Sequence, residues 1–347
     1  MGAMLGGLCQ ASYGVCMMVN MVCAAGMMKL IGLLPLSKNL SQGLALMLTQ
    51  AAWSFAIFCA PWMRCTSNDQ TADEWALIQQ KMAEVDAEVA AGKSDARPLM
   101  ILANHMCFFD TLLSVAKMPS RVLWRCRTYM DASLFNLPIL STMCRSIGHY
   151  PVYFSSKTDG VFTVDKEKNE IEDKKVNLHL NSGGWLCFFP EGQMNSEPDT
   201  LLPFRFGGMK KALQFDARLV AFVASGSTSV WPKKCKIGGL PGSVKYSMRI
   251  IAPDGCKAFL AELRTQKDLP EEDKKMEDHE LLAKHARLRM QAQYDELKQA
   301  LAGGKSKKVD CLSGPLEACA KEGESAAEGE DEVWDMDWNS LDCPPPK

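Results

Sequence analysis

The chain has 347 residues, with 39 basic and 41 acidic side chains, a formal net charge of −2 and 47% hydrophobic residues. That length is ample for one large or two modest domains, and the near-even charge argues against a nucleic-acid binder. The charge is unevenly spread: residues 303–347 hold 5 lysines against 11 acids, which leaves 34 basic and 30 acidic residues in a mildly basic body suited to anionic substrates and an anionic lipid surface.

Residues 1–68 contain no Asp or Glu and carry Lys29, Lys38 and Arg64. The uncharged run 4–28 would, as a helix rising 1.5 Å per residue, cross a hydrocarbon layer of ~30 Å. A second apolar run follows at 40–63, after a turn around Leu34-Pro35-Leu36-Ser37. Together they read as a membrane helical hairpin that either spans the bilayer or dips into one leaflet; a buried soluble helix pair is the alternative. Trp75, Ile78, Met82 and Val85 lie at helical spacing, so 66–93 reads as an amphipathic helix packed on a sheet or laid on a membrane surface. Short apolar runs then predict strands at 98–103, 121–124, 149–154, 185–189, 219–223 and 244–251. Helices are predicted at 111–117, 133–146, 165–180 and 206–215. This alternation predicts an α/β fold with a largely parallel central sheet flanked by helices. Residues 278–301 read as a helix polar on most faces, stopped by Gly303-Gly304. The acidic tail beyond reads as disordered, with Trp334, Trp338 and Leu341 as a candidate docking motif. The expected units are a hairpin at 1–65, a sheet domain at 66–302 and the tail at 303–347. The 14 cysteines include no C-x2-C pair and no Cys/His array with zinc spacing, so a reduced, cytosol-facing protein is expected.

Two stretches carry the chemistry. Residues 98–103 end in Asn104-His105, with Asp110 five residues beyond the His. Residues 185–189 lead into Phe189-Pro190-Glu191-Gly192 and then Pro203-Phe204-Arg205-Phe206-Gly207. Each is a buried strand delivering polar residues at its carboxyl end, where open α/β sheets place their sites. An H-x4-D pair alone is weak; followed about 80 residues on by F-P-E-G it is specific. Over roughly 95–230 the chain resembles the membrane-bound glycerolipid acyltransferases, the lysophosphatidic acid acyltransferase family, whose motifs match Asn104 to Asp110, Gly148 to Phe154, Phe189 to Gly192 and Pro203 to Gly207.

The resemblance implies transfer of a fatty acyl group from acyl-CoA to a lysophospholipid hydroxyl, with no cofactor and no metal. A glycerol 3-phosphate acceptor, or a non-catalytic lipid-binding protein on the same fold, are the alternatives. An imidazole titrating near neutrality suits His105 as the base that takes the acceptor's proton. Asp110 would fix its tautomer, or simply cap the helix that follows. Asn104, Glu191, Gly192, Arg205, Gly148 and Lys157 are expected around the substrate, Arg205 as a phosphate fork. Lys210 and Lys211 are either coenzyme A contacts or a solvated face. The sequence departs from the family at Phe154, where an arginine is usual; Lys157 or Arg145 would have to replace it. Acyl-CoA, a lysophospholipid and the membrane are the expected partners. The family default places the protein at the endoplasmic reticulum, its catalytic domain facing the cytosol.

Overall fold

A computed structural model of the chain describes residues 2–68, 71–92, 97–158, 161–195, 199–233 and 235–303. The elements run α1 (Gly2–Gly32), α2 (Lys38–Phe58), β1 (Met63–Ser67), α3 (Thr71–Ala90), β2 (Leu99–Ala103), α4 (Phe108–Lys117), α5 (Ser120–Leu123) and β3 (Cys126–Asp131). They continue α6 (Pro138–Ile147), β4 (Tyr150–Val152), β5 (Phe154–Thr158), β6 (Val161–Val164), α7 (Lys166–Asn181), β7 (Trp185–Phe188) and α8 (Phe206–Gln214). The last are β8 (Arg218–Ser225), α9 (Ser227–Val230), β9 (Gly242–Ala252), α10 (Cys256–Thr265), α11 (Glu271–Lys274) and α12 (Asp278–Leu301).

The main sheet has the order β1-β9-β8-β2-β7-β3-β4. From β8 to β4 the pairs are parallel; β9 is antiparallel to β8, and β1 is parallel to β9. β2, β7 and β8 are buried along their whole length, as expected of strands covered by helices on both faces. The two-residue period of β2 sorts its side chains between two cores. Leu99, Ile101 and Ala103 join one with α1, α2, α3 and α4; Met100 and Leu102 join another with α7, α8, α10 and α12. The expected α/β fold with a mostly parallel sheet is observed.

Several local expectations are corrected. Residues 121–123 belong to α5 and Trp124 caps it, so no strand forms there, because Pro119 and Ser120 open a helical turn that buries Val122 and Leu123; the strand begins at Cys126. The expected helix 133–146 is a 3-10 turn over Ala132–Asn136 and then α6, parted at Leu137, which the following Pro138 keeps extended. The expected strand 149–154 is divided between β4 in the main sheet and β5, which pairs with β6 in a separate hairpin. β1 had no recognised signal. α12 is far from polar on most faces: Leu281, Leu282, Ala286, Met290 and Leu297 are buried against the sheet. α3 packs on the sheet through Ile78 and Met82. The acidic tail and its Trp334 motif lie outside the described residues.

The N-terminal helices pack on the domain. The α2 stripe of Ala45, Leu46, Thr49, Ala52, Trp53 and Ala56 is buried. Its polar residues meet the carbonyls left open at the end of α4: Gln50 donates to Val115 O at 3.2 Å and Met118 O at 2.6 Å, and Ser54 donates to Ala116 O at 3.2 Å. In α1, Tyr13 is buried edge-on against Trp231, while Leu8, Val15, Val19 and Leu30 stand outward and exposed. Among the described residues, 4–32 is the stretch long and apolar enough to cross a membrane.

Candidate active site

β2 delivers the first residues of the site. Asn104, 1% exposed, donates to Ala224 O and accepts from Ala224 N, both at 2.9 Å. Its side-chain amide thus extends the β2–β8 ladder beyond the last backbone pair. Asn104 is a strut that fixes where His105 leaves the sheet.

His105 is held through its backbone. Its N–H donates to Glu191 Oε1 at 3.0 Å, and its carbonyl accepts from Asn195 N at 2.6 Å. The ring stacks on Phe189, centroids 4.2 Å apart. The side chain keeps partial exposure, whereas Nδ1 is buried and makes no hydrogen bond. Burial, reinforced by the positive charge of Lys233 and opposed by the Cys107 backbone, pushes the imidazole down to about 4. It rests neutral, as a base must.

Asp110 lies in the first turn of α4, where Oδ2 accepts from Met106 N at 2.6 Å and Cys107 N at 2.9 Å. The helix begins at Phe108 with Cys107 as its N-cap, so Asp110 is not the N-cap but the third helical residue, whose carboxylate reaches back to the cap backbone at the favourable end of the helix dipole. Its other oxygen, Oδ1, is buried without a hydrogen bond. Burial raises the carboxyl to about 6, opposed first by the nearby Ser227 hydroxyl and then by these backbone donors. The expected His105–Asp110 hydrogen bond is not made in this conformation. Instead each residue carries one unsatisfied buried atom, Nδ1 on the imidazole and Oδ1 on the carboxylate. The two orphans belong to the residues that the motif pairs.

Glu191 is 1% exposed, and both its oxygens are used inside the protein. Oε1 takes the His105 N–H; Oε2 takes Asn195 Nδ2 at 3.0 Å and Leu202 N at 2.9 Å. Burial lifts its carboxyl to about 7 while these donors pull it down. It ties the His105 loop to the loop after β7 and organises the site from behind. Gly192 has φ +73°, and a Cβ there would come within 2.8 Å of Arg205 Cγ. Only glycine lets the turn close against residue 205, whose N–H donates to Pro190 O at 2.7 Å. Arg205 is exposed at the start of α8.

Two further expected substrate residues are Gly148 and Lys157. Gly148 ends α6 in the left-handed conformation, and Gln42 of α2 occupies the space a Cβ would need. Gln42 also accepts from Arg127 at 3.3 Å, so Gly148 is a docking point for α2. Lys157 lies in β5, its side chain outside the described residues. Lys211 is buried and bonded to Asp173 at 2.7 Å, and Arg145 donates to Phe135 O at 3.2 Å. Sequence reasoning missed Asn195, four residues past Glu191 across an irregular loop, and Lys233; neither has a periodicity or motif to mark it.

Beside Phe189 lies a narrow cleft with a cavity of about 50 Å³, open to solvent on one side. Leu46 of α2, Val115 and Met118 of α4, Leu123, and Met130 of β3 give it a mostly apolar lining. The site thus places a neutral imidazole against Phe189, which also lines this small, mostly apolar cleft.

Residues 83–225 match the family model described as Acyltransferase. No curated protein matches the sequence. Among solved structures the chain is similar to the crystal structure of the 1-acyl-sn-glycerophosphate (LPA) acyltransferase PlsC from Thermotoga maritima, with a TM-score of 0.57, 15% identity, and coverage of 86% of this chain and 98% of that one. At that identity the likeness speaks to the fold. Residues 83–225 thus match the acyltransferase family model, and the chain has the fold seen in PlsC.

Proposed function

We propose that the protein transfers a fatty acyl group from acyl-CoA to the free hydroxyl of a lysophospholipid such as 1-acylglycerol 3-phosphate, with His105 as the general base. The observation that carries this reading is a neutral, partly exposed imidazole stacked on Phe189 at the edge of an apolar cleft. His105 takes the proton of the acceptor hydroxyl as its oxygen attacks the thioester carbonyl. The tetrahedral intermediate then collapses, and the coenzyme A thiolate leaves and receives the proton. The imidazolium formed in between needs a counter-charge. Asp110 supplies it when its Oδ1 accepts from Nδ1, which satisfies both orphaned atoms at once. No enzyme nucleophile is needed, because the acceptor brings its own.

The cleft between α2, α4 and β3 takes the acyl chain, and the exposed apolar face of α1 holds the domain at a lipid surface from which substrate need not depart. The absence of Asp and Glu from residues 1–68 suits an anionic leaflet. The test is transfer of labelled acyl groups from oleoyl-CoA across a panel of lysophospholipids. A diacyl product from wild type and not from His105→Ala supports the reading. Release of free fatty acid alone would make the protein a hydrolase.

A further inference from the structure

Helix α4 carries Asp110 in its first turn, and the N-terminal helices hold it at both ends. At its far end α2 holds it directly, through Gln50 and Ser54. At its first turn the hold passes through Trp231, the residue that closes the single turn of α9. The Trp231 ring lies against Phe108, the first residue of α4, with centroids 5.2 Å apart. It also meets Tyr13 of α1 edge-on, at 6.3 Å. Trp231 is 5% exposed and Tyr13 1%.

The indole is fixed on every side. Its ring N–H donates to Cys235 O at 2.9 Å, and its backbone N–H donates to Ser227 O at 2.9 Å. The loop that follows is pressed onto α1: Gln10 donates to Ile237 O, and a side chain at Gly238 or Gly239 would collide with Trp231 or Tyr13. At its other end α9 follows β8, whose Ala224 is paired with Asn104, the residue before His105. One unit therefore bridges the strand that delivers His105, the turn that carries Asp110, and α1.

Aromatic packing fills the core of any protein, but here it falls where a small displacement matters. Phe108 is two residues from Asp110, and Asp110 Oδ1 and His105 Nδ1 must meet if the pair is to work, although neither is bonded in this conformation. A misplacement of about 1 Å at a reacting centre costs ~10²-fold in rate. The contact that sets this turn then sets turnover.

We propose that Trp231 is a positioning residue: held between Tyr13 and Phe108, it sets the first turn of α4, and so Asp110, against His105 according to how α1 is seated. The inference rests on the reading of His105 and Asp110 as the working pair.

The experiment combines amide hydrogen exchange with steady-state acyl transfer by the detergent-solubilised full chain. Wild type is compared with Trp231→Leu, Trp231→Phe and Tyr13→Ala. The amides of Met106 and Cys107 donate to Asp110 Oδ2, so their exchange reads the seating of that carboxylate. Losing an aromatic contact predicts exchange ~2–10-fold faster over 106–111 in Trp231→Leu and Tyr13→Ala, with β2 as in wild type. In both variants kcat should fall ~10–100-fold, with KM for each substrate within a few-fold of wild type. Trp231→Phe, which keeps a ring, should lose less by both readouts. Added to Asp110→Asn, Trp231→Leu should lower kcat no further, because its effect runs through that carboxylate. Either readout unchanged in folded Trp231→Leu overturns the proposal, as does an equal fractional loss of kcat in the Asp110→Asn background. If Trp231→Leu melts early, Tyr13→Ala, which leaves the indole in place, takes its part in each comparison. Near-full activity in His105→Ala would instead overturn the base reading, and the exchange arm would still judge whether Trp231 holds the turn.

Discussion

At the scale of single residues, the site separates groups that do chemistry from groups that hold them. Asn104 and Glu191 are committed to backbone partners, and His105 is what they position. Asp110 serves twice, as capping-box residue through Oδ2 and as candidate partner of the imidazole through Oδ1. Asp110→Asn tests the division, because the amide oxygen can still accept from Met106 and Cys107. We expect turnover to fall ~10²–10⁴-fold with only a small drop in melting temperature; equal loss of both would reduce Asp110 to its capping-box role. Glu191→Ala strands three donors and should cost ~1–3 kcal/mol for each one left unsatisfied, read by chemical denaturation. The titrations set a pH signature. With His105 held down to about 4, its neutral form persists well below the ordinary imidazole value, so the acid limb of kcat/KM, which reports the free enzyme, should fall near pH 4 rather than 6.5. The stability terms have opposite signs. A depressed imidazole binds fewer protons folded than unfolded, so its cost grows as pH falls from 6.5 toward 4. Glu191, raised from 4.5 to about 7, binds more protons folded, so its contribution is lost as pH rises through that window.

At the scale of elements, what was legible in the sequence followed burial. Strands β2 and β7 are short, wholly apolar runs and β8 is apolar between Arg218 and Ser225, and a wholly buried strand looks like that. The H-x4-D and F-P-E-G segments sit at the carboxyl ends of two of them, which are paired side by side. The direction of β9 was hidden, since a strand's polarity in a sheet is decided by its connection and not by its residues. β1 was hidden because only Met63 among its five residues is buried. Gly148 was assigned to substrate because it opens a motif, yet its left-handed cap exists to admit Gln42, a contact 106 positions away that no local pattern encodes. α2 therefore matters to the site as a wall. Leu46→Trp should narrow the cleft and shift preference toward shorter acyl chains, seen as a rise in kcat/KM for short over long acyl-CoA; unchanged chain preference would put the acyl group elsewhere.

At the scale of the molecule, one face of α1 is a long apolar surface that the described residues leave uncovered. Leu8, Val15, Val19 and Val22 are at least half exposed, while Tyr13 from the same helix is anchored beneath Trp231. A soluble protein rarely leaves so long an apolar face bare. Replacing Leu8, Val15 and Val19 together with Asp should leave the fold intact and abolish sedimentation of the full chain with anionic liposomes. Retained binding would move the lipid contact off this face. In the resulting plan α1, the helix proposed to face lipid, packs on α2, which supplies Leu46 to the cleft beside Phe189.

The claim on which all of this turns is that His105 removes a proton from an acyl acceptor. It is tested most directly by acyl transfer from labelled oleoyl-CoA in membranes carrying wild type or His105→Ala at matched levels of folded protein. The account predicts a labelled diacyl lipid with wild type and a loss of ~10²–10⁴-fold in the variant. Near-full transfer by His105→Ala, or no transfer to any lysophospholipid by folded wild type, would contradict it.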